Sequence, residues 1–165
     1  MLQEGTRPEH IASPDERLQA FSTPASLEHG SLIVFRFGLP SKFLGMNITL
    51  NRVWFAQLKS PRFTRIVALP GTYELGAAFS SFAANKSCPA ALPVEIVSGR
   101  ITIVGIAVGM PKKWRWWRLG SKENWRDQIY MTNAPDTALQ QTMQYLATIP
   151  MVLADDVKFP LTSPV

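Results

Sequence analysis

The densest chemistry in this chain lies in Lys112-Lys113-Trp114-Arg115-Trp116-Trp117-Arg118. Lysine and arginine supply charge for phosphates or anionic headgroups. Indole rings settle at a membrane interface and also stack on bases or sugars. Lys112, Lys113, Arg115, Trp117 and Arg118, with Arg126 beyond the next turn, are therefore the candidate surface-binding residues. A structural reading competes and carries more weight. In it the segment is a hairpin whose tryptophans pack inward while the cations cover the ring edges.

The other reactive side chains are scattered. Cys88 is the single cysteine, so no intrachain disulfide or cysteine-based metal site forms. It stands before Pro89 with no histidine near in sequence, and a nucleophilic thiol needs a base or a thiolate-stabilising site. His10 and His29 have no partner at metal-ligand spacing. Asp155-Asp156 lacks the alternating oxygens of a calcium loop. Glu74 and Glu95 could pair as acid and base, yet each stands where an alternating strand places an exposed polar residue. Phosphate-loop and Ser-His-Asp patterns are missing. Asn47-Ile48-Thr49 and Asn85-Lys86-Ser87 match the glycosylation pattern, which matters only in a eukaryotic secretory route. No catalytic, cofactor-binding or metal-ligating residue is assigned, and no cofactor is expected.

The elements that would position these groups are mostly strands. Gly45 to Leu75 reads as a β-meander, with Ile48 and Leu50 on one face of its first strand. Asn51-Arg52 is a tight turn, Val53 and Phe55 lead the return, and Pro70-Gly71 restarts the chain toward Tyr73 and Leu75. Leu32 to Phe37 and Arg100 to Val108 are apolar on both faces, which suits central strands. Gly105 marks a bulge or a close contact. Tyr73 to Phe82 and Leu92 to Val97 alternate, as do Trp114 and Trp116 around Arg115. Asp136 to Ala147 reads as a helix with Leu139, Met143 and Leu146 in one stripe, capped by Asp136 or opened by Pro135. Asp15 to Phe21 is a shorter helical stretch with Leu18 and Phe21 on one side.

The chain has 165 residues, 13 prolines, 10 glycines and a net charge of +5. This length suits one domain able to bury a core without a metal or disulfide staple. Residues 1–30 are polar, lean acidic and read as a flexible arm; residues 31–165 read as one domain. The fold class expected is mainly β: a small antiparallel β-sandwich of seven to nine strands with one short helix in the C-terminal region. Phe35, Ile48, Leu50, Phe55, Ile66, Tyr73, Ile101, Ile103, Leu139 and Met143 are expected to supply its core. No stretch approaches the roughly 20 apolar residues of a membrane-spanning helix. The first residues carry neither a signal peptide nor a lipid-anchor cysteine.

Several of these pieces together resemble a known pattern. They are Phe35-Arg36-Phe37, the run Gly45, Ile48, Leu50-Asn51-Arg52, Phe55-Ala56 and Leu58, the turn Leu69-Pro70-Gly71 with Tyr73 and Leu75, and a strand led by Gly99. The pattern is similar to a family of small bacterial β-sandwich domains of unknown function, many of them lipoprotein or envelope proteins, PEGA-like in style. The resemblance implies a non-enzymatic accessory or interaction module in the bacterial periplasm or envelope. It offers no catalytic residues. The partner expected is a protein or an anionic envelope surface, with nucleic acid ranked below both. The alternatives are an electrostatic binder of anionic membrane or nucleic acid through residues 112–126, and, last, an enzyme using Cys88.

Overall fold

A computed structural model describes residues 10–22, 28–37, 45–79, 90–109 and 128–154. Eight strands within them form two four-stranded sheets packed face to face: a mainly β sandwich. In chain order the strands are β1 (Gly30–Phe37), β2 (Met46–Leu50), β3 (Val53–Leu58), β4 (Arg62–Ala68), β5 (Gly71–Phe79), β6 (Ala90–Ile96), β7 (Ile101–Gly109) and β8 (Gln128–Asn133). The first sheet has the order β4-β1-β7-β8 and the second β3-β2-β5-β6. Every pairing is antiparallel except β1 with β7, which is parallel.

The strands that are apolar on both faces, β1 and β7, lie at the centre of the first sheet because both its faces are covered. Leu32 and Val34 of β1 and Val104 and Ile106 of β7 point into the core between the sheets, where they meet Ile48, Leu50, Phe55 and Leu75. Ile33 and Ile103 point the other way, into a second cluster with Ala20, Leu146 and Met151. Phe35, Ile101, Leu139 and Met143 pack against that second cluster and are half-buried. Gly105 resolves as a close contact. A Cβ there would stand 2.8 Å from Phe35 Cζ, and β7 holds unbroken register with both neighbours.

The helices form a third layer. α1 (Pro14–Ala20) has a capping box, in which Ser13 Oγ accepts from the Glu16 amide and Glu16 accepts from the Ser13 amide. Its buried residue is Ala20, whereas Leu18 is exposed. A guanidinium N–H of Arg17 donates to the Ala147 carbonyl. It thereby ties α1 to the end of α2 (Leu139–Leu146), where a cation also favours the helix dipole. Residues 10–22, part of the segment read as an arm, thus pack on the first sheet. Beside β4, the Phe63 amide donates to the Pro150 carbonyl and the Val152 amide to the Phe63 carbonyl; the Ala12 amide then donates to the Met151 carbonyl. At the start of α2 a short 3-10 turn, Asp136–Ala138, intervenes, and no side chain caps it. Asp136 is therefore not the cap that the sequence suggested.

The meander expectation is also corrected. β2 and β3 do form a hairpin, but β4 joins the other sheet, and β5 returns to pair with β2. The chain changes layer between Leu58 and Arg62, through the cis Ser60-Pro61 peptide. Alternation specifies the face each residue takes. It does not specify which strand lies alongside.

The Asn51-Arg52 turn holds both residues in the left-handed region, at φ 49° and 68°. That is the geometry of a type I′ hairpin turn. Asn51 Oδ1 accepts from the Glu74 amide at 2.8 Å, and the Asn51 amide donates back to the Glu74 carbonyl. Arg52 has no such compensation for its backbone. Arg52→Gly is expected to stabilise the fold by about 0.5–1 kcal/mol, readable as a raised denaturant midpoint with unchanged slope.

Tyr73 closes the Leu69-Pro70-Gly71 turn that precedes it. Its hydroxyl reaches back across the turn and donates to the Leu69 carbonyl at 2.6 Å. Burial pushes its pKa above the ordinary value.

Arg36, the middle of the aromatic-Arg-aromatic run, is completely buried in the sandwich. Its Nη1 donates to the Leu58 carbonyl at 2.9 Å, and its guanidinium carbon lies 5.4 Å from the centre of the Phe79 ring. Burial pushes its pKa down to about 10, which still leaves it charged at neutral pH. The cation–π contact and the carbonyl together replace part of the lost hydration.

Candidate functional site

The outer face of the second sheet carries the most developed polar geometry among the described residues. Strict alternation along β3 would put Trp54 and Gln57, three residues apart, on opposite faces. A register shift between Ile48 and Thr49 prevents this. Ile48 pairs with Ala56 and Thr49 with Trp54, so Phe55 is the extra residue of a β-bulge. Phe55 and Ala56 turn into the core, while Trp54 and Gln57 share the outer face with Asn47 and Thr49.

The bulge brings together a hydrogen-bonded cluster. Asn47 Oδ1 accepts from Trp54 Nε1 at 3.0 Å and from Gln57 Nε2 at 3.1 Å. Asn47 and Gln57 are only 8% and 7% exposed. Buried amides of this kind are costly unless bonded, so the cluster has one strongly preferred arrangement. It orients the indole and the Asn47 amide.

Beside the cluster the face drops away. Asn47 pairs with Ala78 and Thr49 with Gly76, and Gly76 pairs in turn with Ala91 of β6. These small residues leave a groove of about 500 Å³, lined on its walls by Asn47, Thr49, Trp54, Arg52 and Glu74. Gly76 is needed here because a Cβ would lie 2.4 Å from Thr49 Oγ1. Among the described residues that line the groove, one cation, Arg52, and one anion, Glu74, balance in formal charge.

A second hollow, about 450 Å³, lies between the end of β1 and α2, lined by Phe35, Phe37, Gln141, Thr142 and Tyr145. Phe35 stacks on Phe37 with ring centres 5.4 Å apart and meets Tyr145 edge-on at 6.1 Å. The hollow's described lining is mainly apolar and holds no hydrogen-bonded cluster like that around Asn47.

The candidates singled out by residue type are distributed otherwise. Lys112, Lys113, Arg115, Trp117, Arg118 and Arg126 lie outside the described residues, as do Cys88 and Asp155-Asp156. His10 is exposed, and its carbonyl accepts from the Leu153 amide; the His29 carbonyl accepts from the Gly99 amide. Glu74 and Glu95 are both exposed on the outer face of the second sheet, two residue pairs apart along β5 and β6. Among the described residues no three His, Cys, Asp or Glu side chains gather where they could hold a metal ion. Among the same residues no helix is long and apolar enough to cross a membrane.

Asn47, Trp54 and Gln57 escape residue-type reasoning because none is reactive and their meeting depends on the bulge. Asn47 figures in the sequence only as part of a glycosylation pattern. The one available signal is Trp54, a large aromatic on a strand whose Phe55, Ala56 and Leu58 already fill the core. Among known proteins, no family model and no curated protein matches this chain.

Proposed function

We propose that this protein is a non-enzymatic accessory or interaction module associated with the bacterial envelope, and that it engages its partner through the outer face of the second sheet. The observation that carries this reading is the locked Asn47–Trp54–Gln57 cluster beside a roomy groove. Polar side chains buried and oriented next to open space suit recognition, because little ordering remains to be done on binding. The envelope assignment rests on the resemblance carried by Phe35-Arg36-Phe37 and Pro70-Gly71-x-Tyr73.

Photo-crosslinking tests the reading. A benzophenone amino acid replaces Thr72 or Glu95, both exposed on this face, or Val67, exposed on β4 of the other sheet. The expected result in the cells that make the protein is a discrete adduct from positions 72 and 95 and none from 67. Adducts from 67 alone, or from none of the three, would overturn the assignment of this face.

A further inference from the structure

We infer that the groove over β2 and β5 is a saccharide site, taking one uncharged sugar residue of a glycan or short oligosaccharide. This rests on the reading of the second sheet's outer face as the interaction surface, and it names the ligand class. The groove lies over β2 and β5, which are hydrogen-bonded to strands on both sides. Their backbone groups are spent in the ladders, so no peptide can add there as a strand. Among the described residues that line the groove, Arg52 is balanced by Glu74, so these residues give no net attraction for a polyanion.

What the groove holds fits a sugar. A pyranose ring has an apolar C–H face and a rim of hydroxyls, each both donor and acceptor. The indole of Trp54 lines the groove and is fixed by its bond to Asn47. An aromatic held in this way meets the C–H face at little entropic cost. The Thr49 hydroxyl, the Glu74 carboxylate and the Arg52 guanidinium offer the mixed donors and acceptors that a hydroxyl rim requires. Asn47 is more than nine-tenths buried, so its amide is built into the wall. Gly76, Ala78 and Ala91 keep the floor low enough for a ring to enter. The volume of about 500 Å³ falls within the range of small-ligand sites.

The test is a titration followed by amide and indole N–H resonances, using chitotriose, cellotriose, maltotriose and mannotriose, with inositol hexaphosphate and a proline-rich peptide as comparisons. The inference expects at least one trisaccharide to give saturable shifts at the Trp54 indole and at the Thr49 and Gly76 amides, with a Kd on the order of 1 mM. Ala91→Trp fills the groove from an exposed position on the edge strand β6. It should weaken that binding at least about tenfold, a loss of about 1.4 kcal/mol. Shifts from inositol hexaphosphate or the peptide alone, trisaccharide shifts unaffected by Ala91→Trp, or no saccharide shifts up to about 10 mM would each overturn it. If the saccharides fail while positions 72 and 95 still crosslink, the sugar is wrong and the surface stands. If both fail, the surface assignment falls too.

Discussion

Arg36→Ala is expected to lower stability by about 3–5 kcal/mol, the range for truncating a large core side chain. The wild-type guanidinium is fully buried, bonded to the Leu58 carbonyl and seated near Phe79. Truncation opens a cavity between the sheets and takes a donor from a carbonyl on β3. Arg36→Met separates the two effects. It keeps most of the volume and removes the charge, and replacing a buried charge by a packed apolar side chain is often close to neutral. Met should therefore recover about 2 kcal/mol or more of the loss seen with Ala. Urea unfolding of the three proteins at pH 7 reads this directly. Equal losses for Ala and Met would mean that the hydrogen bonds, not the filled space, set the cost. The proton on Arg36 does not complicate the comparison. Burial lowers its pKa in the fold to about 10 from a higher ordinary value, so both folded and unfolded chains hold it at pH 7. Its contribution therefore varies with pH only between those values, where rising pH favours the fold.

Phe55→Ala is the second large effect, expected to cost about 3–5 kcal/mol. Phe55 is fully buried in the inter-sheet core and is the extra residue of the bulge in β3. Its anchoring holds the bulge in place, and the bulge puts Trp54 and Gln57 on one face. The substitution should therefore act twice, on global stability and on the outer-face cluster. Leu50→Ala, equally buried but on the partner strand outside the bulge, provides the comparison. It should destabilise while leaving the Trp54 indole resonance near its native position, whereas Phe55→Ala should move it. If both substitutions leave that resonance unmoved, the bulge does not depend on Phe55.

How far the fold is legible in the chain differs from element to element. β1 and β7 are apolar on both faces, and that pattern identifies them as central strands covered on two sides. The Asn51-Arg52 turn is legible from local chemistry, since few residues other than Asn and Gly accept left-handed backbone readily. Sheet membership is not legible. The run from Gly45 to Leu75 looks like one meander, yet β4 belongs to the opposite layer. Arg36 is hidden for a related reason, because a charged residue in a strand is ordinarily assigned to solvent. The groove was not legible at all. It depends on one inserted residue in β3, and a bulge breaks the period from which faces are read. The Trp/Arg segment attracts attention because its residue types are reactive. The Asn47 cluster is made of ordinary amides, and only their placement gives them a role.

The measurement that bears most directly on this account is hydrogen exchange at the Trp54 indole N–H, assigned by its loss in Trp54→Phe. A cluster locked by Asn47 predicts exchange slowed at least about tenfold relative to a free indole. It also predicts that Asn47→Ala removes the slowing without unfolding the protein. Exchange at the free rate in the native protein would contradict the account, because the groove wall would then be loose and the surface would not be organised for recognition.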